Sequence, residues 1–303
     1  MDRLAIVEAV QRMQDYIETH LDEPITLVQL ARAAGYSPYH CTRLFKELTR
    51  KTPFDYLRAR RLTKAAMVLR DEETRVVDVA FDFLFDSHEG FTKAFSKQFG
   101  IAPMRYAKNV PPIRLFLPYG VLPYYRTKHK EEEPTMVQQM NTVFVQVVER
   151  PKRKALVKRG VKAEGYFEYC EEVGCDVWGV LLSVKEALYE PVGMWLPPCM
   201  RTPGTSEYVQ GVELPLDYCK PVPDGFELME LPPCKLMVFH GQPFDDEKFG
   251  DAIAAIWKAM EHYDPKLYGY AWADDDGPRI QLEPQGSRGY IEARPVRELN
   301  GQK

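Results

Sequence analysis

Apolar residues recur at helical spacing in two stretches of the N-terminal third, and these stretches match each other at an offset of 50 residues. An apolar residue at every third or fourth position gives a helix one face that packs against a core. Residues 37–56 and 87–106 are the two copies, and a short apolar helix is predicted before each, at 27–33 and 76–83. The matched pairs are Ser37/Ser87, Thr42/Thr92, Arg43/Lys93, Phe45/Phe95, Pro53/Pro103 and Tyr56/Tyr106. The pattern predicts a helix-turn-helix unit that occurs twice.

The turn between the two helices of each unit needs a residue that tolerates positive φ. Gly35 supplies it in the first unit, and Ser37 then serves as the N-cap of a helix with Pro38 at its first position. The second unit has Leu84 at this turn. A leucine in the left-handed conformation is strained by roughly 1–2 kcal/mol. We therefore expect a distorted or differently built turn in the second unit.

Polar residues of the second helix in each unit are expected on the surface, where they are candidates for contact with DNA. The candidates are Ser37, Tyr39, His40, Thr42, Arg43, Lys46 and Arg50 in the first unit and Ser87, His88, Glu89, Thr92, Lys93 and Lys97 in the second. Residues 1–110 carry 17 basic and 15 acidic residues, but residues 39–70 carry 9 basic and only 2 acidic. Such a stripe suits a phosphate backbone. A helical bundle with a solvated basic face is the alternative, and the duplication argues against a chance match.

Residues 3–109 resemble the DNA-binding domain of AraC-type transcription regulators. The resemblance rests on the serine-initiated helices, on Phe45 and Lys46 of the first unit, and on the segment 100–106 that closes the second. It implies an all-α domain in which a long helix, about 55–70, joins the units and both enter successive major-groove segments of double-stranded promoter DNA. It further implies base contacts from Tyr39, Thr42, Arg43, His88, Glu89, Thr92 and Lys93. Arg43 is the strongest candidate, because a guanidinium can form two hydrogen bonds with guanine.

A second internal repeat, at an offset of 81 residues, marks the C-terminal half. Residues 149–157 align with 230–238, and Gly160 aligns with Gly241. The first copy predicts strands at 143–148 and 155–158, a helix at 164–187 with breaks at Gly174 and Gly179, and strands at 193–196 and 207–214. The second copy predicts strands at 226–230 and 236–240, a helix at 246–263, and strands at 279–283 and 289–296. We therefore expect a multi-domain chain: the all-α domain at 1–109, a Pro-rich linker or strap at 110–141, and an α+β domain at 142–298. The α+β domain is predicted to consist of two pseudo-repeated halves, an antiparallel sheet with two helices.

Residues 142–298 resemble GyrI-like effector-binding domains, mainly through segments 208–213, 223–227 and 280–283. The resemblance implies a cleft between the halves that binds a small hydrophobic ligand, including cationic aromatic compounds. Recognition of a cation in an apolar cleft requires aromatic faces and a carboxylate. The candidates are Tyr166, Phe167, Trp195, Tyr208, Trp272, Glu283, Tyr290 and Glu292. One of Glu283 and Glu292 should face inward, and strand alternation does not decide which. Trp257 is assigned to core packing.

Two other functions remain open for this domain. Some relatives of the GyrI-like fold resemble hydrolases, and Glu283 or Glu292 with Tyr290 offers a base and a tyrosine for that chemistry. A protein-binding module is the third possibility. Fusion to a DNA-binding unit favours sensing over turnover, so we expect no enzymatic activity.

Composition sets the remaining expectations. A chain of 303 residues suggests two domains. We find no apolar run long enough to span a bilayer and no signal peptide, which predicts a cytoplasmic protein without membrane contact. The six cysteines and six histidines show no metal-ligand spacing, so we expect no metal and no cofactor. Together these features predict a ligand-responsive transcription regulator, an activator that works with RNA polymerase.

Overall fold

The computed structural model describes residues 3–129, 142–174, 176–245 and 248–299, with the side chains of 126–129 excepted. The chain divides into two compact units, Met1–Glu133 and Pro134–Lys303. Residues 128–133 of the predicted linker, which form a run of charged residues, and Cys175 lie outside the described side chains. Within the described part, no helix is both long and apolar enough to cross a membrane.

The first unit is helical, as the repeat predicts. Its helices are α1 (Arg3–Thr19), α2 (Leu27–Ala34), α3 (Pro38–Thr49), α4 (Pro53–Asp71), α5 (Val76–Asp82), α6 (His88–Phe99), α7 (Pro103–Asn109) and α8 (Val121–His129). Helices α1, α2 and α3 pack on one another, and α5, α6 and α7 do the same. Helix α4 contacts α3 as well as α5, α6 and α7, so it joins the two helix-turn-helix units.

Each helix-turn-helix unit has its own core, built from the apolar positions that gave the pattern. Met13, Leu30 and Phe45 are fully buried in the first. In the second, Phe95 is fully buried and its ring meets the ring of Tyr106, with 5.7 Å between centroids. Burial raises the pKa of Tyr106 to about 12, since the phenolate would lose its hydration.

The turn of the second unit shares two features with the turn of the first but is built differently. Leu84 adopts φ 59° where Gly35 adopts 75°, so the predicted left-handed conformation is present. The amide of Phe85 donates to the Ala80 carbonyl at 3.0 Å, which matches the bond from Tyr36 to Ala31 at 3.2 Å. The helix ends differ, however: the left-handed Gly35 caps α2 directly, whereas α5 is capped by Phe83 at φ −96°, one residue before Leu84. The second turn differs by one additional residue before the serine cap.

The Pro-rich segment after residue 109 packs on the helical unit and includes helix α8, which the sequence pattern did not predict. Gln14 of α1 is buried; its side chain donates to the Tyr119 carbonyl at 3.1 Å and accepts from the Val121 amide at 3.0 Å. The amide of Phe116 donates to the Thr63 hydroxyl of α4 at 2.9 Å. These bonds attach the strap, defined here as residues 110–125, to α1 and α4.

The second unit contains an antiparallel sheet. Its strands are β1 (Phe144–Arg150), β2 (Arg153–Arg159), β3 (Val192–Trp195), β4 (Tyr208–Leu214), β5 (Glu227–Leu231), β6 (Cys234–His240), β7 (Tyr270–Trp272), β8 (Arg279–Leu282) and β9 (Ile291–Glu298). The strand order is β1-β6-β9-β8-β3-β4-β2-β5, and β7 pairs with β9. All the predicted strands are present; the three-residue β7 was not predicted.

Three helices accompany the sheet: α9 (Tyr166–Val173), α10 (Val177–Leu182) and α11 (Phe249–His262). The predicted break at Gly174 is real, because this residue has φ 103°. The predicted break at Gly179 is wrong, since Gly179 is buried inside α10. Helices α9 and α10 share one core cluster with β2 and β4, whereas α11 shares another with β6 and β9. Alternate residues of these strands form a third cluster on the opposite face of the sheet.

Candidate functional site

The second helix of the first unit, α3, projects its predicted contact residues from a well-capped start. The Ser37 hydroxyl accepts a hydrogen bond from the His40 amide at 3.4 Å, and Pro38 occupies the first turn. Tyr39 is 84% exposed, which is unusual for so large an apolar ring. Arg43 and Lys46 are exposed further along the helix. The exposed face therefore combines an aromatic ring with two cations.

Some predicted contact residues of the two helices are not fully exposed. His40 is half-buried, with its ring 5.2 Å from the ring of Tyr36. Thr42 is also half-buried, and its hydroxyl donates to the Pro38 carbonyl at 3.1 Å. Thr92 has the same half-buried environment in the second unit. These three side chains partly support their helices, a role that the sequence pattern did not separate from exposure.

The equivalent helix of the second unit, α6, begins at Ser87, whose hydroxyl accepts from the Gly90 amide at 3.0 Å. The remaining candidates of this helix are exposed: His88, Glu89, Lys93 and Lys97. Arg50, at the end of α3, is also exposed and adopts φ 62°.

The basic stripe is smaller on the surface than in the sequence. Arg60 forms two hydrogen bonds with Glu18, at 2.6 and 2.7 Å. Arg61 donates to two backbone carbonyls after α1, and Arg70 pairs with Asp71 at 2.7 Å. Three of the nine basic residues thus stabilise the fold. The exposed cations of the stripe are Arg43 and Lys46 on α3, Arg50 at its end, and Arg58 and Lys64 on α4.

The 19 residues of α4 span roughly 28 Å at 1.5 Å per residue, close to the repeat of about 34 Å between successive major grooves on one face of DNA. Two capped helices with exposed polar faces, joined by a helix of this length, define a helix-turn-helix DNA-binding protein. The family described as "Helix-turn-helix domain" matches residues 30–109. The regulatory protein SoxS of Escherichia coli K12 is 35% identical over 97 residues, which cover 32% of this chain and 91% of SoxS. The chain belongs to the AraC-type family of DNA-binding transcription regulators.

Other relatives also match only part of this chain. The right origin-binding protein of Escherichia coli K12 is 41% identical over 108 residues, which cover 33% of this chain but only 37% of that protein. Among solved structures, the DNA-binding domain of AdpA in complex with a target DNA is similar at 25% identity and a TM-score of 0.30, covering 43% of this chain and 97% of that one. An AraC-type regulator from Chromobacterium violaceum is similar at 22% identity and a TM-score of 0.33, covering 34% and 91%.

In the second unit, Glu292 is the carboxylate that faces inward. It lies on β9 with no exposed surface, in the row of residues that packs against α11. The hydroxyl of Tyr290 donates to it at 2.6 Å and the indole N–H of Trp257 at 2.8 Å. Arg279 of β8 donates its Nε–H and forms an ion pair with it. Burial, and then the charge of Glu292, raise the pKa of Tyr290 far above its ordinary value.

The strand register brings the rest of the cluster together on this face of the sheet. Tyr208, Trp195 and Arg279 are direct cross-strand neighbours on β4, β3 and β8. The guanidinium of Arg279 lies 4.9 Å from the ring centroid of Trp195. In the next row Gly193 is required, because a β carbon there would lie 2.0 Å from the Tyr208 hydroxyl. Burial raises the pKa of Tyr208 well above its ordinary value.

Exposed aromatic residues line the edge of this cluster. Tyr166 and Phe167, at the start of α9, contact each other with 5.3 Å between ring centroids. Phe167 also lies 6.3 Å from Phe249, at the start of α11. Trp257 is 48% exposed although its indole N–H reaches Glu292. The central strands, α9 and α11 thus surround an aromatic site, which we call the central site.

Two predicted site residues lie outside the central site. Trp272 is half-buried on β7, where the Arg294 guanidinium is 4.3 Å from its ring centroid. Glu283 follows the end of β8, and the Arg288 side chain donates to its carbonyl at 2.8 Å. No group of three or more histidine, cysteine, aspartate or glutamate side chains in the described part could hold a metal ion.

Sequence reasoning missed Arg279 and Trp257. The assignment of Trp257 to packing is wrong, because its indole reaches a buried carboxylate from a half-exposed position. In the sequence, Arg279 was marked only by its position: it is the first residue of a predicted strand and stands directly before the apolar Ile280. A basic residue at an inward-facing strand position was the signal that could have identified it, since such a charge needs a partner.

Proposed function

We propose that the chain is a ligand-responsive regulator whose second unit is a GyrI-like effector-binding domain for small hydrophobic aromatic compounds. The observation that carries the proposal is the central site: a buried carboxylate and an arginine surrounded by aromatic side chains. A ligand site of this kind is typically apolar with a few convergent polar groups. The two halves of the domain, its boundaries near 142 and 298, and an activator role with RNA polymerase belong to the same proposal.

The strand order supports the assignment of two related halves. If β1 to β4 correspond to β5, β6, β8 and β9, the order β1-β6-β9-β8-β3-β4-β2-β5 reads the same from both ends. This correspondence agrees with the sequence repeat at an offset of 81 residues. The central site then lies where the halves meet, at the pairing of β3 with β8. A cleft at this boundary is expected from the resemblance to GyrI-like domains.

For DNA, we propose that Tyr39, Arg43 and Lys46 of α3 and His88, Glu89 and Lys93 of α6 reach the major groove. Their exposure supports this, and all of them except Lys46 lie in the first two turns of their helices, where the N-terminal residues of a recognition helix contact base edges. Ligand can change DNA binding only if it binds one conformation of the chain more tightly than another.

Tryptophan fluorescence tests the proposal directly, because all four tryptophans lie in the second unit and two of them border the central site. We expect saturable quenching by uncharged aromatic dyes, and a reduced response when Trp257 is replaced by Phe. A Trp178→Phe variant is the matched control, and chromatography checks that the dye stays intact. Dye that disappears would indicate hydrolysis, and the absence of any response would favour a protein-binding module.

The hydrogen bonds and the burial of Glu292 favour binding over hydrolysis. A general base needs a carboxylate that can take a proton from water or substrate. Glu292 instead accepts from a tyrosine, a tryptophan and an arginine, and it has no exposed surface. With three protein donors on its oxygens and no exposed surface, Glu292 has no solvent-facing position from which to take a proton from water.

A further inference from the structure

The charge of Glu292 is already balanced within the protein. Its carboxylate forms an ion pair with Arg279 and accepts from the Tyr290 hydroxyl and the Trp257 indole, at 2.6 and 2.8 Å. A buried carboxylate with these three donors needs no further cation. The negative charge that would attract a cationic ligand is therefore neutralised.

Arg279 also occupies an aromatic surface at the site. Its guanidinium lies 4.9 Å from the ring centroid of Trp195. The Trp195 ring is itself oriented by a hydrogen bond from its indole N–H to the Glu164 carbonyl at 2.9 Å. Recognition of an aromatic cation uses a carboxylate and an aromatic face. Arg279, with 35% of its side chain exposed, already pairs with the Glu292 carboxylate and covers the Trp195 ring.

The strand row beside this pair holds no further carboxylate. By register, Gln210, Gly193, Gln281 and Glu292 form one cross-strand row, and Glu292 is its one carboxylate. By register, the position that corresponds to Glu292 in the other half is Gln210, an amide, because Gln210 pairs with Lys158 of β2 as Glu292 pairs with Phe239 of β6. A cation would have to displace Arg279 and leave that guanidinium without its partner, which is costly in a half-buried position.

We propose that Arg279 determines ligand specificity by excluding cations, so that the central site takes uncharged aromatic compounds. This inference rests on the proposed effector-binding function. The ligand's ring packs among Tyr166, Phe167 and Trp257, and the Arg279–Glu292 pair stays intact beside it.

The test compares two probes of nearly the same shape, acridine, which is uncharged at neutral pH, and N-methylacridinium, a permanent cation. Equilibrium dialysis of the full chain gives both dissociation constants, and chromatography confirms intact dye. We expect the wild type to prefer acridine by roughly tenfold or more, and Arg279→Gln to reverse the order because Glu292 loses its partner. Arg279→Lys, which keeps the charge, should retain the wild-type preference.

The double variant Arg279→Gln/Glu292→Gln removes both charges and should lose the discrimination. It decides the question if Arg279→Gln fails to fold, since it leaves no unpaired buried charge. A wild type that binds the cation more tightly, or a double variant that still rejects it, would overturn the inference while leaving the effector site in place. Binding of neither dye to any variant would remove the proposed effector site and the inference with it.

Discussion

Two non-glycine residues of the helix-turn-helix units, Arg50 and Leu84, occupy left-handed backbone positions, and each stands where the other unit has glycine. Arg50 closes α3 at φ 62°, and Gly100 closes α6 at 70°. Leu84 forms the second turn at φ 59°, and Gly35 forms the first at 75°. A side chain in this region costs roughly 1–2 kcal/mol relative to the right-handed one. Backbone strain at an exposed arginine next to α3 points to a function of that side chain, such as contact with DNA.

Replacement of Arg50 by Gly tests this use. We expect the free energy of unfolding to rise by about 1 kcal/mol, because the strain is relieved. If Arg50 contacts a phosphate, affinity should fall on all DNA sequences and the salt dependence should weaken by about one counterion. Chemical denaturation followed by circular dichroism and fluorescence anisotropy with labelled DNA measure the two effects.

Leu84→Gly is the matched control for Arg50→Gly, since Leu84 adopts a similar φ at the turn and is not a candidate contact. It should increase stability and leave the salt dependence unchanged. An Arg50→Gly variant with an unchanged salt dependence would show that Arg50 is not a DNA contact.

Glu292, the inward-facing carboxylate, shows how far a single site residue could be predicted from the sequence. Alternation along β8 and β9 predicted that one of Glu283 and Glu292 faces inward. The choice depended on where β8 ends, which is at Leu282, one residue before Glu283. The partner of Glu292 comes from a different strand, so its identity required the register of β8 with β9. Local patterns therefore identified the candidates, and only the pairing of strands assigned their roles.

At the scale of elements, the helices of the two repeated units and the long helix α4 were predicted, whereas α1, α7 and α8 were not; α8 is the most informative of these. Its sequence contains Pro123 and follows several other prolines, a texture typical of an irregular linker. Proline is tolerated in the first turn of a helix, and α8 begins at Val121. Its formation depends on packing against α1, where Val121 is buried in the same core as Met13. That contact joins distant parts of the sequence and leaves no local signal.

Gln14 provides a test of how the strap is held. Gln14→Ala should lower the free energy of unfolding of the helical unit by about 1–3 kcal/mol, because the Val121 amide and the Tyr119 carbonyl lose their buried partner. Chemical denaturation of the full chain, followed by circular dichroism at helical wavelengths, measures the loss.

Gln11→Ala is the matched control, since Gln11 accepts from the next strap amide, that of Leu122, at 3.1 Å but lies nearer the surface. Its effect should stay below about 1 kcal/mol, as water can replace the lost bond. Equal effects of the two variants would mean that the buried glutamine does not anchor the strap.

At the scale of the whole second unit, the first strand of each predicted half pairs with the other half. Strand β1 pairs with β6, and β5 pairs with β2. Neither half therefore completes its sheet alone. The Arg153 side chain crosses the same boundary: it forms an ion pair with Glu213 at 2.6 Å and donates to the Pro232 carbonyl at 3.1 Å. The sequence repeat predicted two halves but could not predict this exchange of strands, because equivalent strands have similar patterns.

The exchange predicts that both halves unfold together when the buried ion pair is broken. Arg153→Ala should lower the free energy of unfolding by up to roughly 3–5 kcal/mol, because buried Glu213 loses its nearer ion-pair partner and retains Arg150 at 3.7 Å. The loss is measured by tryptophan fluorescence during chemical denaturation in two backgrounds. In Trp178→Phe/Trp195→Phe the remaining tryptophans report the second half, and in Trp257→Phe/Trp272→Phe they report the first. The loss should be equal in both. Lys152→Ala, which removes an exposed pair with Glu230, should cost less than about 1 kcal/mol. Different midpoints for the two halves would mean that strand exchange does not couple them, whereas coincident midpoints would make the sheet around the central site a single cooperative structure.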